Sequence, residues 1–408
     1  MKKELSSKEA AAILGVSAAT LYAYVSRGLL ASIAHGKARS KRYAHEDVLR
    51  LAARKADGKR AGHAVAAAMS WGVPVLESRI SLIADGKLYY RGHDSSVLAA
   101  SATLEQAAAI LWGHAVPSAA TVDTAADANA NANATTAADA PDGLPRLPAA
   151  AAALARKMPP LERAMAFLPV LALQPCGLAG ARSVPPVPPV PPAQLMRMLA
   201  ALLLDVEMTD APLHEQVARA WRVDGPGKEL LRAALVLMAD HELNNSAFTV
   251  RCVASTGAAL PAVLCAGLAA LSGREHGGHY LMAKEAIVAQ LSGADAPALQ
   301  AMRPGFGHPL YPHGDPRAAP LLQMMSPMPQ AAGVLALAAR AAAIKGAEPN
   351  SDFALAALEL VLDLPPHSGI VLFALARSAG WLAHAAEQAA DGGMIRPRAR
   401  YIGEFGAA

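Results

Sequence analysis

The stretch GFGHPLYPHGDPRA, Gly305 to Ala318, sets two histidines, an aspartate and an arginine among three glycines and three prolines. It is too broken to be a helix, and by itself it reads as a surface turn, because turns gather Gly and Pro for their backbone angles. Its surroundings argue otherwise. The 408-residue chain is 53% hydrophobic but only 4% aromatic, and its apolar content is mostly Ala and Leu. Both are strong helix formers. Segments such as PAQLMRMLAALLLDVEM, GKELLRAALVLMAD, ALPAVLCAGLAALSG, QAAGVLALAARAAAI, DFALAALELVLDL and SGIVLFALARSAGWLAHAAEQ carry helix-period apolar positions. Several are apolar nearly all round, which requires helices buried within a large bundle. The expected class is all-α. One exception is ISLIADGKLYYRGHD, where alternation around Asp85-Gly86 predicts a hairpin.

Charge divides the chain. Residues 1–60 hold thirteen Lys/Arg against five Asp/Glu, a net +8, whereas the whole chain is +4. A basic head on a slightly acidic body suits a polyanionic partner, or else a merely solvated basic face. Within the head, SSKEAAAILG predicts a helix capped by Ser6 or Ser7 and stopped at Gly15. VSAATLYAYVSRG restarts at Ser17 and ends at Gly28, giving two short helices around a glycine turn. A basic turn from Lys37 to Arg42 and a helix from about His45 follow.

Two stretches read as soft. Residues 119–145 are low-complexity Ala, Asn, Asp and Thr, expected to be a disordered insertion. VPPVPPVPP, residues 184–192, predicts a stiff polyproline linker. Cys176, Cys252 and Cys265 are odd in number and widely spaced, which fits a reducing cytoplasm better than a disulfide framework. No signal peptide or membrane span is expected, and no convincing metal-ligand set is present.

Besides the opening stretch, three polar islands interrupt the apolar helices: DHELNNSAFTVR (Asp240–Arg251), SGREHGGHYLMAKEA (Ser272–Ala286) and EPNSDFALAALE, with Asp352 at a helix start. Singly, Asp352 reads equally well as a helix cap, His276 as a turn histidine and His241 as a satisfied core histidine. Together and in this order, HELN, HGG, GFGHPLYPHGDPR and PNSDF resemble the motifs of the citrate synthase family. The resemblance extends from the hairpin through LFALARSAGWLAHAAEQ to the tail MIRPRARYIG, about residues 71 to 404. The first 55 or so residues resemble the winged helix-turn-helix of MerR-like and excisionase-like regulators.

The resemblance implies a large helical domain with a smaller one, behind a winged helix-turn-helix head. The implied domains are residues 1–60 and 61–408. The implied reaction condenses acetyl-CoA with oxaloacetate to citrate and CoA, with acyl-CoA as co-substrate and no permanently bound cofactor. A thioester methyl is a very weak acid, so a positioned base and an enolate-stabilising donor must act together. Asp352 matches the base, His276 the donor, and His308 the residue that polarises the oxaloacetate carbonyl. Arg317, Arg377 and Arg396 match the carboxylate-binding arginines, with His241 as a further ligand. The family pattern implies a homodimer in which Arg396 serves the other subunit. On duplex DNA, Arg39, Lys41 and Arg42 are expected at phosphates and Thr20, Tyr22 and Tyr24 near base edges.

Two departures stand out. PLYPHG carries no Lys or Arg before Asp-Pro-Arg, and HGG is followed by His279-Tyr280 where the common form has Ala-Asn. These leave open a 2-methylcitrate synthase, which uses propionyl-CoA. A DNA-binding regulator that senses oxaloacetate or acyl-CoA is the rival from another class.

Overall fold

A computed structural model describes residues 4–17, 20–21, 24–25, 30, 32–34, 41–45, 47–49, 76–114, 146–172, 190–293 and 304–397. The 119–145 insertion and most of the polyproline stretch lie outside them, as do Tyr22, Arg39 and Cys176. The chain divides into two compact units, Met1–Glu77 and Ser78–Ala408.

In the first unit, β1 (Glu4–Ser6) leads directly into α1 (Ser7–Leu14). Ser6 and Glu9 form a reciprocal capping box, and Gly15 ends the helix at φ 59°. Both follow from the local sequence, since the box satisfies two otherwise orphaned N–H groups. Ser17 Oγ accepts the Thr20 N–H at 3.2 Å, starting the second helix where the Ser-x-x-Thr pattern puts it. β2 (Ile33–Ala34) and β1 both pair antiparallel with β3 (Lys41–Ala44), so β3 is the central strand. Leu5, Ala10, Leu14, Leu21, Leu30, Tyr43 and Val48 form a separate small core, against which Tyr24 packs. Lys41 is exposed and Arg42 half-buried on β3.

The second unit opens with a hairpin of β4 (Ser81–Ala84) and β5 (Lys87–Tyr90), extended by β6 (His93–Asp94). Asp85 and Gly86 both have positive φ, as a two-residue hairpin turn requires. The rest is helical. The first group is α2 (Ser95–Ser101), α3 (Leu104–Leu111), α4 (Ala149–Ala155), α5 (Pro160–Leu171) and α6 (Pro192–Leu204). Next come α7 (Leu213–Trp221), α8 (Gly225–Leu237), α9 (Asn245–Ala254), α10 (Leu260–Leu271) and α11 (Gly278–Leu291). The last are α12 (Ala318–Met325), α13 (Ala332–Lys345), α14 (Ser351–Val361) and α15 (Ser368–Asp391).

The hub is α15. It packs on α3, α5, α6, α8, α9 and α10, whereas α11 and α12 pack on α14, which itself touches α15. By length and composition α15 alone among the described helices is able to cross a membrane, yet nearly all of it is buried among the others. Its approach to α10 depends on Gly267, where a Cβ would come within 2.7 Å of the Trp381 indole. Gly267→Ala should therefore overpack this crossing and destabilise the body by about 1–3 kcal/mol. A lower urea midpoint with an unchanged denaturant slope would register the loss.

Candidate active site

The opening stretch is a loop pinned to the start of α14. Gly307 N–H donates to the Glu348 carbonyl at 2.8 Å, and Asn350 N–H to the Gly305 carbonyl at 2.9 Å. Asn350 Nδ2 donates to the Gly307 carbonyl at 3.0 Å. Gly305 and Gly307 have φ of 94° and 70°, a region that other residues enter only at a cost. A Cβ at Gly305 would also press on Ala283 and Phe353 at 3.3 Å.

Asn350 decides what Asp352 is. The Asn350 Oδ1 accepts the N–H groups of Asp352 and Phe353, so Asn350 is the helix cap and the Asp352 carboxylate is released from that duty. Burial pushes the Asp352 carboxyl up to about 6, with Arg317 and His279 pulling it down and Asp315 adding to the rise. A carboxylate with that affinity for protons is a stronger base than an exposed one.

Asp315 organises the arginine beside it. Its Oδ1 accepts from Arg317 N at 3.0 Å and Nε at 2.9 Å. Its Oδ2 accepts from Arg317 Nη2 at 2.7 Å and from Ser351 N at 3.0 Å. Burial opposes the Arg317 charge, but Asp315 outweighs it and holds the guanidinium protonated. Two of the three guanidinium nitrogens face Asp315, which leaves Nη1 outside that pair.

Arg377, on α15, is different. Its Nε donates to the Met238 carbonyl at 3.0 Å, while Nη1 and Nη2 are buried with no hydrogen-bond partner among the described residues. The side chain is 0% exposed, and its guanidinium lies 4.4 Å over the Phe373 ring. Burial lowers it to about 10, so it stays charged at neutral pH. A buried cation with two idle donors is costly by itself and is suited to an anionic ligand. The Asp240 carboxylate favours the charged form of Arg377 from nearby but makes no hydrogen bond to it. It accepts from Ser81 Oγ at 2.6 Å and sits 3.3 Å from His384 Nε2, both side chains fully buried.

The histidines surround these cations. His241 and His308 stand edge to face with centroids 5.1 Å apart, and Tyr311 packs on both. His241 Nε2 lies 3.0 Å from Tyr311 Oη. His308 Nδ1 accepts the Leu310 N–H at 3.2 Å. Burial, with Arg317 adding to it, lowers His308 to about 4, so the neutral ring carries its proton on Nε2 as a donor. His276 meets Phe373 edge to face at 5.7 Å, and burial first, then Arg377, lowers it to about 4. His276 Nε2 lies 2.9 Å from Ser246 Oγ, itself 2.9 Å from Asn244 Oδ1. Ser246 has one proton to give. Given to Asn244, it leaves His276 protonated on Nε2; given to His276, it moves the ring proton to Nδ1.

The structure thus sets His241 against His308, brings Arg317 to both through the Tyr311 ring, links His276 to Arg377 through Phe373, and places Asp352 within the field of Arg317. Arg396 is exposed on the tail after α15, and no hydrogen bond or ion pair joins it to this group. Sequence reading missed Ser246, Tyr311, Asp315, Asn350 and Phe373. Asp315 and Asn350 were visible as the Asp of Asp-Pro-Arg and the Asn of Pro-Asn-x-Asp. Phe373 had no local signal, because it looks like any apolar position of a core helix. Among the described residues no His, Cys, Asp or Glu group is arranged to hold a metal ion.

A helical body that gathers two buried guanidinium groups, a half-buried carboxyl of raised proton affinity and neutral histidines has the groups that acid–base chemistry uses. The comparisons give its family. Residues 68–398 match the model of the citrate synthase C-terminal domain, and residues 4–56 match a helix-turn-helix domain. A citrate synthase of Haloferax volcanii is 29% identical over 370 residues, 82% of this chain and 94% of that one. A 2-methylcitrate synthase of Mycobacterium tuberculosis is 31% identical over 188 residues, 42% of this chain and 47% of that one. A Thermoplasma acidophilum citrate synthase, solved as a ternary complex with carboxymethyl coenzyme A and oxaloacetate, superposes with a TM-score of 0.62 at 22% identity, covering 83% of this chain and 96% of that one. The chain belongs to the citrate synthase family and carries a helix-turn-helix domain at its N-terminal end.

The Asp352 shift has a direction that kinetics can read. The base must be ionised to act, so kcat/KM should fall about tenfold per pH unit once the pH drops below about 6. A profile flat from pH 7 to pH 4.5 would remove Asp352 from the base role. Stability has the opposite sign for this group: the folded state holds the proton more tightly, so its share of stability grows as pH falls from 6 towards the ordinary carboxyl value of 3.8.

Proposed function

We propose that the body condenses an acyl-CoA with oxaloacetate, acetyl-CoA giving citrate and free CoA. The observation that carries this reading is the buried Arg377 guanidinium with both terminal nitrogens idle, beside an Arg317 with one nitrogen to spare. Together they suit a small dicarboxylate, and the acid–base groups around them suit an enolate attacking its ketone. The Asp352 carboxylate takes the methyl proton, and an N–H of His276 holds the enolate oxygen. The enolate carbon then adds to the ketone, and His308 Nε2–H supplies a proton to the new alkoxide. Water finally cleaves the thioester, releasing CoA. The donor role of His276 requires Ser246 to turn its hydroxyl towards Nε2, so that Nδ1 bears the proton. A pure sensor needs the arginines but has no use for a base aimed at a methyl group.

Propionyl-CoA is the second reading, favoured by the match to a 2-methylcitrate synthase. CoA release with each acyl-CoA and oxaloacetate distinguishes them. In either case Asp352→Asn, which keeps shape but loses basicity, should lower kcat at least ~100-fold, with oxaloacetate binding little changed. Near-full turnover by that variant would overturn the assignment.

The assembly we favour is a homodimer in the cytoplasm, with Arg396 reaching the partner's site. Its exposed place in the tail supports this, as does the Ile395 N–H, which ties the tail to Ser255 Oγ at 3.1 Å. We take residues 1–60 as a DNA-binding head and residues 61–408 as the catalytic body. The head's support is the helix-turn-helix match, its net charge of +8 and a strand that presents Lys41 and Arg42. The head should retain duplex DNA with an affinity that falls steeply with salt, since each neutralised phosphate releases counterions. Loss of all retention at low salt would leave it a docking appendage.

A further inference from the structure

His276, Asp352 and Arg377 belong to three elements: the entry of α11, the first turn of α14 and the middle of α15. One buried carboxylate touches all three. Glu359, on α14, is 1% exposed. Its Oε2 accepts from the hydroxyl of Tyr280 on α11, and its Oε1 from Lys284 Nζ one turn further along α11. Oε2 also accepts the Gly369 N–H at the start of α15, at 3.2 Å, and the same N–H lies 3.3 Å from Tyr280 Oη.

The α15 terminus depends on this arrangement. Its capping residue His367 sits at φ 73° and offers no side-chain cap, so the first-turn N–H groups need an outside acceptor. Glu359 is that acceptor, with a negative charge at the positive end of a 24-residue helix. Burial pushes its carboxyl up, while the N–H groups of Gly369, His367 and Ser368 favour the ionised form. The Tyr280 ring lies so close to Gly369 that a Cβ there would meet its Cε2 at 2.2 Å. Any larger residue at 369 would push the tyrosine off the carboxylate. Two of these three side chains are unexpected on the family pattern: Tyr280 stands where Asn is usual, and Glu359 follows no motif.

We propose that Glu359, with Tyr280 and Lys284, is a positioning pin that fixes the helices bearing His276, Asp352 and Arg377 relative to one another. Its effect on turnover rests on the acyl-transfer reading; its effect on the helix ends does not. A shift of a base or donor by a fraction of an ångström is enough to cost an order of magnitude in rate. Tyr280→Phe removes only the hydroxyl, and Glu359→Gln keeps the shape without the charge.

The test is a double-mutant cycle in the full-length protein. Each single variant should lower kcat about tenfold while oxaloacetate KM stays within about twofold, because Arg377, further along α15, keeps its own anchor on the Met238 carbonyl whereas His276 and Asp352 lose theirs. The double variant should be little worse than either, since residues acting as one unit are not additive. Native-state amide exchange gives a second readout, in which Tyr280→Phe should quicken exchange at both the α11 start and Gly369. Variants with lowered Tm but unchanged kcat would reduce the cluster to a packing role and overturn the proposal. So would multiplicative losses in the double variant, or faster exchange confined to α11. If the wild-type protein turns over neither acyl-CoA, the functional reading fails, and coupled exchange at the two helix ends alone decides the pin.

Discussion

Everything at the site follows from one constraint: two guanidinium groups are buried in a body made largely of Ala and Leu. Burying a charge is expensive unless a partner or a ligand compensates it. Arg317 is compensated within its own loop, because Asp315 lies two residues away and grips it through two nitrogens. Arg377 is compensated only in part: Asp240 acts on it through charge but makes no hydrogen bond to it, being held by Ser81 and close to His384, and the Phe373 ring contact supplies only part of what water would. The cations in turn explain the histidines. Desolvation and the nearby positive charge both disfavour imidazolium, so His276 and His308 stay neutral and keep an N–H to donate.

The same constraint shapes the backbone. The loop carrying His308, Asp315 and Arg317 buries the last two while Pro309, Leu310, Pro312 and His313 stay exposed, and its buried polar backbone groups need partners. The glycines at 305 and 307 make that possible, exchanging hydrogen bonds with residues 348–350 at the start of α14. Asn350 completes the joint by capping α14 with one end of its amide and holding Gly307 with the other. A similar close fit recurs at Gly380, where a Cβ would strike Asp240 Oδ1 at 2.2 Å. That glycine lets α15 bring Arg377 and His384 against the Asp240 turn. Small residues here are the means by which charged ones are brought within reach of each other.

The helical class, the hairpin turn and the helix caps were legible in the sequence because each depends on neighbours a few residues apart. Ser6 with Glu9 and Asp85-Gly86 form locally whatever the rest of the chain does. The reading of Asp352 was only half legible. Pro-Asn-Ser-Asp offers three capping residues, and composition does not say which one caps. Only the positions of the Asn350 and Asp352 side chains separate the cap from the free acid.

By itself, then, the sequence determined an all-α body of buried helices, a basic helix-turn-helix head and four polar islands bearing an aspartate, histidines and arginines in family order. Periodicity, caps and charge are local properties and survive being read one residue at a time. What only the tertiary structure decided is which polar groups meet: Phe373 between His276 and Arg377, Ser246 behind His276, and Glu359 under Tyr280, Lys284 and Gly369. Those partners lie tens of residues apart or more, or sit on core faces that look merely apolar or charged in one dimension. Their meaning comes from desolvation and from distances of about 3 Å, which exist only once the helices have packed.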